Sequence, residues 1–359
     1  MKLVVLGATG AVGSVIMAIL DERDLAISEI VPVATARSAG STLFHRGRPV
    51  TVRLLEADVF EGTDIALFDV PDEVSLEWAP IAAERGATVV DNSAAWRMAP
   101  DVPLVVPEVN PEAAFATPRR IIASPNCTML TVVVPLAPLH GCAGLRRVIV
   151  SSYQAASGAG KPGVDELWGQ LREVADAPVA TVTAGRAGGM LKPGDTFAHP
   201  LALNVIPRIG SAQADGYTSE ELKLAEETRK VLGLPDLPLS ATCVRVPTMV
   251  GHGVSVHAEF ERPMGVDEAR RILGAAPGVE LRDDTAAHVY PTPLEAAGRD
   301  PVFVGRIRQD PHDPHALEWF AVTDNLRKGA ALNAIQIAEL VASRGPIAAR
   351  QAAGSSRSG

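Results

Sequence analysis

Short apolar segments alternate with amphipathic segments along the first third of the chain. Residues 3–6 form a compact apolar run that predicts a buried strand, and residues 11–20 carry apolar side chains at helical spacing. Similar apolar runs predict strands at 27–34, 65–70, 88–92 and 120–123, and a helix is predicted over 73–85. Strands that alternate with helices are typical of βαβ units and of a parallel sheet with both faces covered.

The pattern changes after about Thr128, where longer loops separate the apolar runs. Strands are predicted at 147–153, 243–246, 254–260 and 302–307, and helices at 164–174, 219–232 and 328–341. The last helix is rich in alanine and amphipathic, so we expect it to pack back on the first domain. The sequence therefore predicts an α/β protein with one domain over 1–128 plus 325–345, a second α+β domain over 129–324, and a disordered tail at 346–359.

Composition and charge exclude several classes of protein. The 359 residues are 47% hydrophobic, which is too apolar for a chain that is disordered throughout. The 33 basic and 42 acidic side chains give a net charge of −9, which disfavours general nucleic-acid binding. Three cysteines do not make a disulfide framework and indicate a reducing, cytoplasmic compartment. The longest apolar stretch, 129–139, contains two prolines and is too short to span a membrane.

A glycine-rich turn follows the first predicted strand and opens the first predicted helix. It has the sequence Gly7-Ala8-Thr9-Gly10-Ala11-Val12-Gly13, with the spacing G-x-x-G-x-x-G in place of G-x-G-x-x-G. Glycine allows the close approach of a phosphate to backbone N–H groups, and a helix N-terminus favours negative charge. In this position the turn predicts a Rossmann-type dinucleotide site, although a purely structural turn is the alternative.

The end of the second predicted strand bears on the choice of cofactor. An acidic residue at this point usually holds the ribose hydroxyls of NAD, but this chain has Arg37 and Ser38 and no acid there. An arginine suits a 2′-phosphate, so the sequence favours NADP over NAD. The alternative for Arg37 is an ordinary solvated loop arginine.

A cysteine is predicted at the start of a helix, directly after a buried strand. The segment reads Ser124-Pro125-Asn126-Cys127-Thr128 and leads into an apolar run. A helix N-terminus lowers the pKa of a thiol, which makes Cys127 a candidate nucleophile; the alternative is a small buried side chain. Cys142 and Cys243 lack such surroundings and are expected to be structural.

Further polar residues stand in places that suit a charged substrate. Glu220 and Lys223 share a face of a predicted helix, either as a site or as a surface ion pair. Arg245 interrupts an apolar strand, where it suits a bidentate carboxylate contact unless it lies on an edge facing water. His252 lies between two glycines that allow a reacting group to approach closely. Arg97, taken alone, is predicted to be a solvated loop residue.

Five motifs in family order over residues 1–343 resemble bacterial aspartate-β-semialdehyde dehydrogenases. They are Gly7 to Gly13, Ser124 to Thr128, Ser152-Tyr153-Gln154-Ala155-Ala156-Ser157-Gly158-Ala159-Gly160, Cys243-Val244-Arg245-Val246-Pro247 with Gly251-His252, and Asp324-Asn325-Leu326-Arg327-Lys328-Gly329-Ala330-Ala331. The resemblance implies NADPH-dependent reduction of β-aspartyl phosphate to aspartate semialdehyde and phosphate through a cysteine thioester. It also implies a homodimer built sheet against sheet and a place in lysine (diaminopimelate), threonine and methionine biosynthesis.

The same resemblance implies a role for each matched residue. Cys127 matches the nucleophile, His252 the general acid/base, and Gln154 a residue that positions the substrate. Arg245 matches the arginine for the substrate carboxylate, and Glu220 the acid for its amino group. The phosphate site is matched by Arg97, Asn126 and Lys223. The cofactor contacts are matched by Gly7, Thr9, Gly10, Ala11, Val12, Gly13, Arg37, Ser38, Ser157, Gly158 and Asn325.

Two positions depart from the family pattern, and one cluster suggests a metal. Ser124 replaces an asparagine and Met129 a threonine, which affects only the hydrogen-bond support of the thiol. The segment His312-Asp313-Pro314-His315 carries metal-binding residue types. However, its prolines and acidic neighbours favour an exposed loop, and no metal site is expected.

Two other functions compete with this interpretation. N-acetyl-γ-glutamyl-phosphate reductase has a similar plan, but its acylated substrate needs no anionic partner such as Glu220. A non-catalytic NADPH-binding redox sensor that uses Cys127 as its switch leaves Gln154, Arg245 and His252 without a role. Turnover measured with the two acyl phosphates would separate all three functions.

Overall fold

The computed structural model describes residues 1–344, so the tail predicted at 346–359 lies outside the described residues. Its strands are β1 Lys2–Leu6, β2 Glu29–Ala34, β3 Thr42–His45, β4 Arg48–Thr51, β5 Arg53–Leu54, β6 Ile65–Phe68, β7 Thr88–Asp91, β8 Ile121–Ala123, β9 Leu145–Gln154, β10 Leu239–Arg245, β11 His252–Phe260, β12 Val279–Leu281, β13 Val302–Gln309 and β14 Ala316–Thr323. Its α-helices are α1 Ala11–Glu22, α2 Asp72–Glu84, α3 Cys127–Ala143, α4 Gly160–Val174, α5 Val179–Thr183, α6 Ser219–Leu232, α7 Val266–Ala275, α8 Pro293–Ala296 and α9 Leu332–Ser343.

The chain divides into two compact units. Among the described residues, the first contains Met1–Asn126, Lys230–Gly233 and 330–344, and the second contains Cys127–Arg229 and Leu234–Gly329. Cys127 is therefore the first residue of the second unit.

The first unit is built around a six-stranded sheet in the order β5-β2-β1-β6-β7-β8, in which every pairing is parallel. The strands β6 and β7 are buried at every position, as the apolar runs predicted for a sheet covered on both faces. Ile16 of α1 and Ile335 of α9 join the same hydrophobic core. The α/β fold class is confirmed, and the last helix contributes to the core of the first unit.

The start of that last helix differs from the prediction. Residues 328–341 were expected to form one regular helix, but Arg327–Ala331 form a π-helical turn before α9 begins at Leu332. The Asp324 carboxylate accepts hydrogen bonds from the N–H groups of Leu326 and Arg327. A Cβ atom at Gly329 would lie 2.9 Å from the Cβ atom of Cys127, so this wide turn also packs closely on the cysteine.

The second unit is built around a six-stranded mixed sheet in the order β10-β9-β11-β14-β13-β12. The apolar helix α3 packs against β9, β11, β13 and β14 of this sheet. The sequence analysis missed β14, although its Trp319 is fully buried. The apolar and polar residues of β14 do not alternate: Glu318 and Phe320 are half-buried, and the other six residues are buried. The segment 312–315 lies in the turn between β13 and β14.

None of the helices within residues 1–344 is both long and apolar enough to cross a membrane.

Candidate active site

Cys127 is the first residue of α3, and its side chain is half-buried. The first N–H groups of a helix have no partner within the helix, and together with the helix dipole they favour an anion at this end. This environment stabilises a thiolate over a thiol. The start of α3 therefore gives Cys127 the position that a nucleophile requires.

The other two cysteines have different environments. Cys142 is exposed near the C-terminal end of α3. Cys243 lies inside β10, where burial raises the pKa of its thiol to about 12 and keeps it protonated. The burial of Cys243 agrees with the structural role expected for it, whereas Cys142 is exposed at the end of α3 opposite to Cys127.

An amide and a carboxylate meet at the end of β9. Gln154 is 1% exposed, and its Nε2 donates hydrogen bonds to Ser152 Oγ at 3.2 Å and to Glu220 Oε1 at 3.3 Å. Glu220 is half-buried in the first turn of α6, where a negative charge is favourable. The pair presents a fixed amide beside a carboxylate that can receive an ammonium group.

Glu220 is positioned by a capping box that the sequence analysis overlooked. The Thr218 N–H donates to Glu221 Oε2 at 2.8 Å, and the Glu221 N–H donates to Thr218 Oγ1 at 3.4 Å. Glu221 Oε1 also accepts a hydrogen bond from the Cys243 N–H at 2.9 Å, which ties the start of α6 to β10. The signal Thr-x-x-Glu before a helical segment could have revealed this cap.

Arg245 ends β10 directly opposite Gln154 in the parallel β9–β10 ladder. It lies on the edge strand β10 but is only 6% exposed, so the alternative in which its side chain faces water is wrong. Its Nη1 donates to the Ala155 carbonyl oxygen at 2.6 Å. Burial lowers the pKa of Arg245, while the nearby Cys127 and Glu220 favour its charged form.

His252 begins β11 and is fully buried. Its Nδ1 accepts a hydrogen bond from the Ala155 N–H at 3.1 Å. Burial and then the positive charge of Arg245 lower the pKa of His252 to about 3, against the opposing effect of the Gly251 carbonyl. A single backbone residue, Ala155, thus orients both His252 and Arg245.

Gly158 packs closely against these two side chains. A Cβ atom at Gly158 would lie 2.6 Å from Arg245 Nη1 and 3.1 Å from His252 Nε2. A side chain at this position would displace the arginine or the imidazole. Gly158 itself is exposed, so glycine here lets the two buried side chains lie directly beneath the backbone at the surface.

Ser157 and Asn325 form a second polar contact in the same unit. Both side chains are buried, and Asn325 Nδ2 donates to Ser157 Oγ at 2.9 Å. Asn325 Oδ1 accepts a hydrogen bond from the Gly251 N–H at 2.9 Å. The contact links the loop after β9 to the residue that precedes His252.

Lys223 is half-buried on α6, one turn after Glu220.

In the first unit, the glycine turn has the geometry expected of a phosphate site. Gly7 has a φ of 89°, and a Cβ atom at Gly13 would lie 2.1 Å from the Gly7 carbonyl oxygen, so both positions require glycine. Gly10 precedes α1 and offers no side chain to cap the first N–H groups of that helix. These N–H groups suit the diphosphate of a dinucleotide.

Arg37 is exposed in the loop after β2, with Ser38 half-buried beside it.

Arg97 and Asn126 also belong to the first unit, and each is 8% exposed. Arg97 Nε donates to the Ser124 carbonyl oxygen at 3.0 Å, and its Nη2 donates to the Asn92 carbonyl oxygen at 2.6 Å. The guanidinium thus joins the chain just after β7 to the chain just after β8. The alternative of a solvated loop arginine is wrong for Arg97.

Asp69 is a residue near the glycine turn that the sequence analysis overlooked. A Cβ atom at Gly10 would lie 3.8 Å from Asp69 Oδ2. Burial raises the pKa of the Asp69 carboxyl to about 6, against the effect of the nearby Asn92 side chain and with a smaller contribution from the charge of Asp91. An acidic residue directly after the buried strand β6 was the available signal.

Two family models match most of the chain. The model of the semialdehyde dehydrogenase NAD-binding domain matches residues 2–117, and that of the semialdehyde dehydrogenase dimerisation domain matches residues 136–328.

Individual relatives match over nearly the full length. An aspartate-semialdehyde dehydrogenase from Aquifex aeolicus is 44% identical over 96% of this chain and 99% of its own length. One from Streptomyces akiyoshiensis is 48% identical over 95% of this chain and 98% of its own length. The solved structure of aspartate semialdehyde dehydrogenase II from Vibrio cholerae, complexed with ASA, has a TM-score of 0.89 and 39% identity over 95% of this chain and 97% of its own. The chain belongs to the aspartate-semialdehyde dehydrogenase family of oxidoreductases.

Proposed function

We propose that this chain catalyses the NADPH-dependent reductive dephosphorylation of β-aspartyl phosphate to aspartate semialdehyde. The observation that carries the proposal is the polar cluster of the second unit, which gathers an amide, a carboxylate, a buried arginine and a buried histidine. The charge of Cys127 raises the pKa of Arg245 against the larger effect of burial, which supports including the helix-start thiol in this cluster.

The reaction divides into two steps at sulfur. The Cys127 thiolate attacks the acyl carbon of β-aspartyl phosphate, the C–O bond breaks, and phosphate leaves with the bonding pair and takes up one proton. Reduced NADP supplies a hydride when bound. The acyl carbon of the Cys127 thioester accepts this hydride, after which the C–S bond breaks and returns the thiolate. In this scheme Cys127 is the nucleophile and His252 acts on the carbonyl oxygen.

Three kinds of contact hold the substrate in this proposal. Glu220 receives the ammonium group and Arg245 the α-carboxylate, because their charges and geometry complement a zwitterionic amino acid. Gln154 positions the reacting end from its fixed place beside Glu220. For the phosphate, the family resemblance implies contacts from Lys223, Arg97 and Asn126. The carboxylate at Glu220 favours a free amino group and disfavours the N-acetylated substrate of the rival reductase.

NADP is the proposed cofactor. The glycine turn from Gly7 to Gly13, including Thr9, Gly10, Ala11 and Val12, would hold its diphosphate at the start of α1. The exposed guanidinium of Arg37, with Ser38, is suited to a 2′-phosphate. Ser157, Gly158 and Asn325 complete the contacts that the family resemblance implies. Partnership with a second copy, a cytoplasmic location, and a role in lysine, threonine and methionine biosynthesis belong to the same proposal.

The decisive experiment follows NADPH formation from aspartate semialdehyde, NADP and phosphate. We expect formation to depend on phosphate and to be almost abolished in Cys127→Ala, whereas the control Cys142→Ser retains activity. Intact mass after mixing with β-aspartyl phosphate in the absence of NADPH should show an acyl adduct that Cys127→Ala loses. An adduct that persists in Cys127→Ala would refute the assignment, and absence of turnover would favour a redox sensor.

A further inference from the structure

The ammonium group of Lys230 is held by three main-chain carbonyl groups of one loop. Lys230 is half-buried in the last turn of α6, in the part of this helix that belongs to the first unit. Its Nζ donates hydrogen bonds to the carbonyl oxygens of Arg97 at 2.6 Å, Ala99 at 2.8 Å and Val102 at 2.9 Å. An ammonium group has three protons to donate and no acceptor, so these three contacts account for all of its protons.

No regular element holds the loop 97–102, which carries these three carbonyl groups. Within the loop, the Val102 N–H donates to the Ala99 carbonyl oxygen at 3.3 Å, which is long for a hydrogen bond. Pro100 has no N–H to contribute. In a helix or strand, backbone N–H groups would satisfy these carbonyl groups, whereas here the lysine supplies the donors. Lys230 thus fixes the path of the main chain from which the Arg97 side chain projects.

The side chain of Arg97 reaches the segment that leads to Cys127. Its Nε donates to the Ser124 carbonyl oxygen at 3.0 Å, and its Nη2 donates to the Asn92 carbonyl oxygen at 2.6 Å. Ser124 stands two residues before Asn126, which is also implied for the phosphate site. Because two N–H groups of the planar guanidinium are directed at main-chain oxygens, a shift of the Arg97 main chain would turn the guanidinium or break these contacts.

We propose that Lys230 is a positioning residue of the phosphate site, which holds the main chain of Arg97 so that the guanidinium stays in place for the phosphate. This inference rests on the proposed function, in which Arg97 contacts the phosphate of the substrate. Lys230 takes part in no chemical step, and its effect on the reaction passes through Arg97. In this it differs from Lys223, for which the resemblance implies a direct phosphate contact. Lys230 lies outside the five motifs that carry that resemblance.

The first test separates phosphate binding from the other properties of the enzyme. Lys230→Met keeps a long unbranched side chain but donates no hydrogen bond. With NADPH formation as the readout, we expect KM for phosphate to rise roughly tenfold, below the ~10²-fold that a misplacement of about 1 Å can cost. KM for aspartate semialdehyde, KM for NADP and kcat at saturating phosphate should stay within about twofold of wild type. Lys192→Met removes an exposed lysine and is the matched control.

A second variant keeps the test valid where Lys230→Met fails to fold. Lys230→Arg retains the charge and several donors, but its planar fork cannot direct three N–H groups to three oxygens that converge on one atom. We expect its Tm to be near that of wild type and its KM for phosphate to lie between those of wild type and Lys230→Met. An unchanged KM for phosphate in a folded variant, or an equal rise in all three KM values, would overturn the proposal.

The third test determines whether Lys230 acts through Arg97. Arg97→Gln removes the charge but keeps an amide that can donate to a loop carbonyl. In this background Lys230→Met should change KM for phosphate by less than about twofold, because the group that it positions is absent. A rise as large as the one seen with Arg97 in place would show that the two residues act independently, and would contradict the proposal.

The outcomes distinguish this proposal from the proposed function. Phosphate-dependent NADPH formation by wild type, with KM for phosphate unchanged in the folded Lys230 variants, would refute the positioning role alone. A wild-type KM for phosphate in Arg97→Gln would remove Arg97 from the phosphate site, and the positioning role with it. Absence of NADPH formation by wild type would refute the proposed function itself and everything that rests on it.

Discussion

At the scale of single residues, Arg245 is a buried charge whose backbone contact determines what it can still bind. Its Nη1 is committed to the Ala155 carbonyl oxygen, and the fork of the guanidinium leaves other N–H groups for a substrate carboxylate. A lysine has one compact ammonium and cannot reproduce both contacts. We expect Arg245→Lys to lower kcat/KM by roughly ten- to hundred-fold, the value of a charged hydrogen bond. The control Arg172→Lys changes an exposed arginine on α4, and equal activity in the two variants would contradict the argument.

Arg37 is the residue proposed to select NADPH over NADH. Its exposed guanidinium is proposed to contact a 2′-phosphate, which NADPH has and NADH lacks. Arg37→Ala should therefore raise KM for NADPH by roughly ten- to hundred-fold and leave KM for NADH unchanged. Steady-state kinetics with both cofactors test this, with Arg48→Ala as the control on an exposed arginine of β4. An equal change for both cofactors would remove Arg37 from the 2′-phosphate site.

Asp69 makes stability depend on pH. Its pKa in the folded chain is raised from 3.8 to about 6, so the folded state binds the proton more tightly than the unfolded state. The tighter proton binding adds to the free energy of unfolding. This added stability is complete below the pKa of Asp69 in the unfolded chain and is lost as pH rises through about 6. The neutral Asp69→Asn should therefore raise Tm relative to wild type at pH ~8, and much less at pH ~4. Thermal unfolding measures this, with the exposed Asp24→Asn as the control; an equal gain at both pH values would contradict it.

Sequence reasoning at this scale recovered residue types better than contacts. Glycine spacing indicated the turn that Gly7 and Gly13 form, because a tight turn is a local property of the chain. The link from Ala155 to His252 joins residues 97 positions apart, and no local pattern encodes it. The burial of Arg97 was missed for the same reason, since its partners are carbonyl oxygens that carry no sequence signal.

At the scale of elements, the capping box of α6 connects helix stability to substrate binding. Glu221→Ala would remove the cap and leave the buried Cys243 N–H without its acceptor. A buried unsatisfied donor costs about 1–3 kcal/mol, so we expect Tm to fall by about 2–10 °C. KM for aspartate semialdehyde should also rise, because Glu220 lies in the same turn. The exposed Glu226→Gln on the same helix is the control. A Tm equal to that of the control would show that the cap is dispensable.

Helices and strands with a clear repeat of apolar residues were predicted well. A strand whose burial depends on the strands beside it in the sheet was not. The bounds of α6 agree with the prediction, and the apolar runs of the first sheet identified its buried strands. By contrast, β14 lies between β11 and β13 and was missed, because its apolar residues do not alternate with polar ones.

At the scale of the whole molecule, the second sheet leaves apolar side chains on the face that α3 does not cover. Ile149 and Tyr153 are 37% and 40% exposed on β9, and the Tyr153 ring lies 5.9 Å from that of Phe320. An exposed apolar patch on a sheet indicates an interface, and the matched dimerisation domain includes this strand. We therefore expect this face to form the contact between two copies.

Ile149→Asp tests that contact, because a charge at the centre of an apolar interface loses its water. Sedimentation at micromolar concentration should give a dimer for wild type and a shift to monomer for the variant. Phe44→Asp replaces an exposed apolar residue of β3 in the first unit and is the matched control. A monomeric wild type would refute the dimer, and a dimeric Ile149→Asp would place the interface elsewhere.

The positions of the three thiols have a practical consequence for storage of the protein in air. Cys127 and Cys142 lie at opposite ends of α3, about 20 Å apart at the rise of an α-helix, which is too far for a disulfide. Cys243 is buried and protonated. Oxidation would therefore join the exposed Cys142 of two molecules, and such covalent pairs on a non-reducing gel should not be mistaken for the functional dimer. Cys142→Ser would prevent this cross-link and leave Cys127 as the one reactive site for thiol labelling.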